Sequence, residues 1–191
     1  MKVILPKHLV PDVGLTYPLF FLAGPVGGGD DWHLEATNFL QKKVNEFFVA
    51  IPQKYTGDHP LFINRVGCEN IELFPHQFMW KNYYFQLAAG IGNASTQPPA
   101  YSCLVIWLPA ESETALRPDA PPYVTYPWRE VGTAIGWLKF NKKLRIVFGA
   151  DPSFPGLGSI RRSFEAVMDD EFPIWESLET TMKAAVHMAL P

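Results

Sequence analysis

The sequence predicts an α/β fold in which helices cover both faces of a parallel sheet of about five strands. Short apolar runs closed by turn residues are typical of strands that are buried on both faces. Segments with apolar residues at helical spacing alternate with these runs, as in a parallel sheet with crossover helices. The composition, with 48% hydrophobic residues, is too apolar for a disordered chain. We find no internal repeat and no linker, so we expect one domain over residues 1–191.

The first part of the chain supplies two strands and one helix. Tyr17–Gly24 is an apolar run that ends in glycine, and Asp30 or Asp31 then provides the N-cap of a periodic helix. Residues 47–52 form the second strand candidate. Residues 53–75 are polar and rich in turn residues, which predicts a long loop with small pieces of structure.

The rest of the chain continues the alternation. The predicted segments are a helix over 76–91, a strand over 101–108, a loop over 109–127, a helix from Pro127 to about Phe140, a strand over 144–148, a loop over 151–158 and a C-terminal amphipathic helix with Ile174, Leu178, Met182 and Val186 four residues apart. This order predicts a three-layer fold of the flavodoxin-like or Rossmann-like kind, with the sheet between two layers of helices. Ligands bind such sheets at the carboxyl ends of the strands, so we expect residues 24–32, 109–130 and 149–158 to form the site.

Charge and composition exclude several classes of protein. The net charge of −3 and the absence of a Lys and Arg cluster argue against nucleic-acid binding. The apolar runs are far shorter than the roughly 20 residues that cross a bilayer, and no signal peptide is evident, so we expect a cytoplasmic protein without a membrane partner. Two cysteines, Cys68 and Cys103, and histidines without ligand spacing predict neither a disulfide scaffold nor a metal site.

A glycine-rich turn follows the first strand. Gly24 and the glycines at 27–29 allow the backbone to approach a ligand closely, and the next helix offers free N–H groups. The segment matches neither G-x-G-x-x-G nor a P-loop, so we expect no cofactor. Two interpretations remain open for this segment, namely a tight turn capped by Asp31 and a ligand contact.

Glu130 is the candidate nucleophile. It falls near the start of the helix that begins at Pro127 and lies at the edge of the apolar stripe, where a side chain can point into a cleft. The helix dipole favours its ionised form, and a partly desolvated carboxylate suits attack on a sugar carbon. The competing interpretation is that glutamate is common in first turns for dipole reasons alone. The aromatic residues Trp32, Trp80, Tyr84 and Trp128 either stack on a base or pack in the core.

Three segments occur in the order and spacing of one known family. Phe21–Pro25 (FLAGP) is like an opening strand Y-L-A-G-P, Cys103–Pro109 (CLVIWLP) is like a strand ending in W-I-P, and Arg129–Gly132 (REVG) is like an E-x-G helix start. Over residues 18–148 the chain therefore resembles the nucleoside 2-deoxyribosyltransferase family and its nucleoside-phosphate hydrolase relatives.

The resemblance implies a chemical role for Glu130. In that family the matching glutamate attacks the anomeric carbon of a 2'-deoxynucleoside, the base leaves, and another base or water takes the sugar from the glycosyl-enzyme ester with net retention. The ligands would be a nucleoside and a nucleobase, and the family is typically homo-oligomeric.

The resemblance also suggests substrate-binding residues. Asp30 or Asp31 is the candidate for contact with the base, and Arg129 for positioning Glu130 or the sugar hydroxyls. The remaining candidates for the binding site are Gly24, Pro25, Trp32, Trp80 and Ser102.

Two positions depart from the family pattern. Phe21 stands where the family often has a tyrosine that hydrogen-bonds the nucleophile, and Ser102 stands where it commonly has an aspartate. Tyr123 or Tyr126 is the candidate substitute for that tyrosine.

Two alternative functions follow from the same segments. The first is a hydrolase of nucleoside 5'-monophosphates, with Gly27–Gly29 and Thr125 as the phosphate cradle. The second is a non-catalytic nucleotide-sensing module that kept the pocket and lost turnover.

Overall fold

The computed structural model describes residues 1–11, 16–26, 30–92, 99–111, 125–168 and 172–190, with the backbone alone described at positions 125 and 126. The elements in chain order are β1 (Lys2–Ile4), β2 (His8–Leu9), β3 (Leu19–Ala23), α1 (Trp32–Lys43), β4 (Phe48–Ala50), α2 (Pro60–Ile63), β5 (Cys68–Glu69), α3 (Gln77–Ala89), β6 (Ser102–Leu108), α4 (Thr125–Phe140), β7 (Ile146–Ala150), α5 (Leu157–Glu165), β8 (Ile174–Trp175) and α6 (Leu178–Ala189).

A six-stranded sheet forms the centre of the molecule, in the order β1-β4-β3-β6-β7-β8. Every pair of neighbouring strands in it is parallel, and β2 and β5 form a separate antiparallel pair. The chain runs from β3 to one side into β4 and then crosses to β6 on the other side of β3. The expected Rossmann-like α/β fold is confirmed, with six strands in the sheet where about five were expected. The strand order reverses between β3 and β6, which is the position where sheets of this kind bind ligands.

Helices cover both faces of the sheet. Alternate residues of β3 point to opposite faces, with Phe20 and Leu22 in one apolar cluster and Phe21 and Ala23 in the other. The cluster of Phe20 includes residues of α1 and α6, whereas the cluster of Phe21 includes residues of α3, α4 and α5. Because both faces are buried, the strands read as continuous apolar runs in the sequence.

Four elements were not expected from the sequence. The strands β1, β2 and β8 have three, two and two residues, which is too short for a hydrophobic period to show. Ile174, which was expected in the C-terminal helix, lies in β8, and that helix begins at Leu178. Helix α5 begins within the predicted loop over 151–158, where Gly156 and Gly158 flank its first residue. Helix α4 begins at Thr125, two residues before the expected start at Pro127; proline is tolerated there because the first-turn N–H groups have no partner in the helix.

Two further sequence expectations concern cysteine and the membrane. Cys103 is fully buried in β6 as a small packed side chain, and burial raises the pKa of its thiol. Cys68 is exposed in β5, and both cysteines are free. Among the described residues, no helix combines the length and the apolar character that a bilayer crossing requires.

Candidate functional site

The site lies at the carboxyl ends of the parallel strands. Ala23 pairs with Ile106 and Leu108 pairs with Ala150, so β3, β6 and β7 end side by side. Helix α3 starts at the same edge, because the Gln77 side chain donates to the Pro52 carbonyl just beyond β4, with 2.6 Å between nitrogen and oxygen. The described parts of the three expected segments therefore meet at one edge.

Gly24 brings the ends of β3 and β6 into close contact. Its φ angle is +150°, and a Cβ atom built there would overlap the carbonyl oxygen of Trp107 and lie 2.9 Å from the Trp32 side chain. The Trp32 indole donates to the Pro25 carbonyl over 3.0 Å, and the ring is buried. This turn is tightly packed by Gly24, Pro25 and Trp32. The indole N–H of Trp32 is already bonded inside the turn.

Glu130 lies on α4 and is buried, with 5% of its surface exposed. One carboxylate oxygen, Oε1, forms an ion pair with the ammonium of Lys81 on α3, whose side chain is 25% exposed. The other oxygen, Oε2, is buried and has no hydrogen-bond partner in the described part of the chain. A buried carboxylate with a free oxygen is unusual, because the great majority of buried polar atoms have a partner.

The pKa of the Glu130 carboxyl is raised above its ordinary value. Burial is the largest cause, since a carboxylate loses its hydration there. Lys81, the backbone amide of Gly24 and Arg129 act in the opposite direction and favour the ionised form. Because these effects oppose each other, the protonation state of Glu130 depends on the groups around it.

A small cavity lies beside the ion pair, between α3 and α4. Its volume is about 50 Å³, which is the space of one or two water molecules. It is lined by Phe78, Lys81, Asn82, Phe85, Arg129, Glu130 and Thr133.

Lys81, and not Arg129, contacts the Glu130 carboxylate. The Arg129 side chain is exposed, and its guanidinium lies over the Phe78 ring, 4.2 Å from the ring centre. Arg129 was expected to position Glu130. In the structure it does not contact the carboxylate and acts on it only through a weaker electrostatic attraction. Sequence reasoning missed Lys81 because it is distant along the chain, although it is the one charged residue within Gln77–Ala89 and shares a helix face with Phe78 and Phe85.

The Asp31 carboxylate is occupied by local contacts. It caps α1 by accepting from the Leu34 amide at 3.1 Å, and it accepts from the Tyr55 hydroxyl at 2.7 Å. The His59 ring nitrogen Nε2 lies 3.0 Å from its second oxygen, and the His59 ring stacks on Tyr55. Asp31 therefore fastens the segment after β4 to α1, whereas the neighbouring Asp30 is exposed. The pairing with Tyr55 and His59 was not expected, because residues 53–75 are polar and rich in turn residues and were predicted only as a long loop with small pieces of structure.

Removing the Asp31 carboxylate should cost stability. We expect Asp31→Ala to lower the free energy of unfolding by about 2 kcal/mol, because a helix cap is lost and the buried Tyr55 hydroxyl loses its acceptor. Urea denaturation followed by circular dichroism measures the change. Asp30→Ala is the matched control and should change the free energy of unfolding by less than about 0.5 kcal/mol. Equal effects of the two substitutions would contradict this role of Asp31.

Two predicted binding residues lie away from Glu130 or are sealed in the core. Ser102 is the first residue of β6, pairs with Leu19 and is buried, so it lies at the opposite edge of the sheet, about 20 Å from the end of its strand. Trp80 is fully buried against Phe21, and its indole donates to the His8 carbonyl. Neither residue lines the cavity beside Glu130. Ser102 was suggested by the family resemblance, although its place at the start of the predicted strand already put it away from the carboxyl end.

Gly27–Gly29 and Tyr123 lie outside the described residues, as do the side chains of Thr125 and Tyr126. Within the described ranges, no group of three His, Cys, Asp or Glu side chains is arranged to hold a metal ion.

A scan of protein-family models and a search of curated proteins both found no match to the chain.

Proposed function

We propose that this chain cleaves the N-glycosidic bond of a 2'-deoxynucleoside, with Glu130 as the nucleophile, and transfers the deoxyribose to another base. The observation that carries the proposal is the buried Glu130 carboxylate. Its Oε2 atom has no hydrogen-bond partner among the described residues, and the Gly24 amide, which acts on the carboxylate, lies at the end of β3 where the strand order reverses. The resemblance of Phe21–Pro25, Cys103–Pro109 and Arg129–Gly132 to the nucleoside 2-deoxyribosyltransferase family supports it.

The proposed reaction has two balanced halves. In the first, a Glu130 oxygen bonds to C1' while the bond from C1' to the base nitrogen breaks, and the electron pair leaves with the base, which takes up a proton. In the second, a nitrogen of the incoming base bonds to C1', the ester bond breaks, and that base gives up a proton. The carboxylate is regenerated, and no net proton is consumed.

Burial of Glu130 suits this chemistry. The transition state at C1' is oxocarbenium-like and carries positive charge, which an ionised carboxylate in a poorly hydrated site stabilises more than it would in water. A cavity of about 50 Å³ does not hold a pentose, so the proposal requires Lys81 to leave the carboxylate when the sugar enters. The ammonium is partly exposed, so it has a route to solvent.

A second candidate function is the hydrolysis of nucleoside 5'-monophosphates. Lys81 and Arg129 line the same cavity as Glu130, and two cations beside the carboxylate favour a substrate that carries a phosphate. Water would then take the sugar from the ester in place of a base.

A non-catalytic nucleotide sensor is the third candidate, and it predicts binding of nucleosides without turnover. For all three we propose a homo-oligomer, as the family resemblance implies, and a cytoplasmic location, as the sequence composition suggests.

A screen of substrate pairs tests the proposal. Each common 2'-deoxynucleoside, or its 5'-monophosphate, is incubated with a different free base, and the products are separated by chromatography. We expect a new deoxynucleoside in at least one pair. Free sugar without transfer, from monophosphates alone, would instead support the hydrolase. No product from any pair, together with measurable nucleoside binding, would support the sensor.

A further inference from the structure

Lys81 and Glu130 join two helices across the candidate site. Lys81 extends from α3 and Glu130 from α4, and the two helices lie on the same face of the sheet. The carboxylate is almost fully buried, whereas the ammonium remains a quarter exposed. One partner of the pair is therefore fixed in the core, and the other can reach water.

A buried carboxyl group needs compensation to stay ionised. Without a nearby positive charge, such a group takes up a proton, because burial disfavours its charged form. The charged groups of the described residues that act on Glu130 are Lys81 from α3 and Arg129 from its own helix, and β3 contributes the amide of Gly24. Lys81 makes the direct contact, while the Arg129 guanidinium lies over Phe78.

We infer that Lys81 is a displaceable counter-ion, a positioning residue that keeps Glu130 ionised and covers its carboxylate until a sugar takes its place. The first half of this inference concerns the charge of Glu130 alone, and the second half rests on the proposed function. Lysine suits such a role because its ammonium is a point charge on a flexible stem. An arginine would hold the carboxylate through two hydrogen bonds and would be harder to displace.

Displacement also supplies space and charge. Lys81 lines the cavity beside Glu130, so its movement enlarges that cavity. The cationic sugar of the transition state then faces the carboxylate in place of the ammonium. The carboxylate thus keeps a positive partner throughout the reaction.

Carboxyl-carbon NMR of the unligated protein tests the first half without any activity. The Glu130 resonance is assigned by its loss in Glu130→Gln, and its titration is followed in wild type, Lys81→Met and Lys81→Arg. We expect the midpoint in Lys81→Met to rise by about one pH unit or more, and that in Lys81→Arg to stay near wild type. Lys139→Met is the matched control, because Lys139 is an exposed lysine near the far end of α4. A midpoint in Lys81→Met equal to that of wild type would overturn the inference.

A second measurement avoids dependence on the folding of Lys81→Met. In wild type with ¹⁵N-labelled lysine, the Lys81 ammonium resonance, assigned by its loss in Lys81→Arg, should shift with the same midpoint as the Glu130 carboxyl. If the chemical shift of the Lys81 ammonium does not change as Glu130 titrates, the two groups do not interact and the inference fails.

Kinetics test the second half. In Lys81→Met the acidic limb of kcat/KM should move to higher pH, because less Glu130 is ionised at a given pH. In Lys81→Arg we expect KM to rise several-fold while kcat changes less, because the arginine resists displacement. An unchanged KM in an active Lys81→Arg enzyme would contradict displacement. If neither wild type nor variant turns over any substrate, the proposed function and the displacement step both fail, while the NMR titration still decides whether Lys81 sets the charge of Glu130.

Discussion

Glu130→Gln is expected to abolish transfer of deoxyribose between bases, with a loss in kcat on the order of 10⁴-fold. Glutamine has nearly the same shape as glutamate but offers no carboxylate to bond to C1', so the covalent step is lost while the packing of α4 is kept. The measurement is the initial rate of base exchange at saturating nucleoside, with circular dichroism and thermal unfolding to show that the variant is folded.

The matched control is Glu165→Gln at the exposed end of α5, which makes the same chemical change away from the site. Its rate should equal that of wild type. A folded Glu130→Gln protein that keeps more than about a tenth of the wild-type kcat would show that Glu130 is not the nucleophile.

Gly24→Ala is expected to lower the free energy of unfolding by about 3 kcal/mol. The added Cβ would overlap the Trp107 carbonyl, which is backbone and cannot rotate away, and the φ angle of +150° is one that alanine rarely adopts. Either β3 and β6 must separate at their ends or the turn must be rebuilt. Denaturation in urea measures the change, and we expect the same variant to lose activity because the amide of Gly24 acts on the Glu130 carboxylate.

Gly136→Ala on α4 provides the contrast. A Cβ there meets nothing within 4 Å, and alanine is the better helix former, so the variant should gain about 0.5–1 kcal/mol in free energy of unfolding. If Gly24→Ala also left stability unchanged or raised it, the close approach of the two strand ends would be wrong.

The sheet was predictable from the sequence because its strands are buried on both faces. β3 and β6 appear as unbroken apolar runs closed by glycine or proline, and the stripe of α4 has the helical period. The short strands β1 and β8 exist because a neighbouring strand offers them an edge, which is a tertiary effect without a local pattern.

The site was predictable only in part. Glu130 was proposed because an E-x-G helix start follows a strand and loop in the order of a known family, and its burial agrees with the expected place at the edge of the core. Its partner Lys81 comes from another helix, and two of the contacts of Asp31 come from the predicted loop over 53–75. Ser102 was suggested by the family resemblance, but it begins β6 and therefore lies at the amino end of that strand, opposite to the candidate site.

The most direct test is to trap the sugar on the protein. Wild type is mixed with a 2'-deoxynucleoside in the absence of an acceptor base, quenched in acid, and analysed by intact mass and peptide mapping. We predict a mass increase of one deoxyribosyl group per chain, carried by the peptide that contains Glu130 and absent from Glu130→Gln. An adduct on any other residue, or base exchange that proceeds without an adduct under any quenching time, would contradict the assignment of Glu130 as the nucleophile.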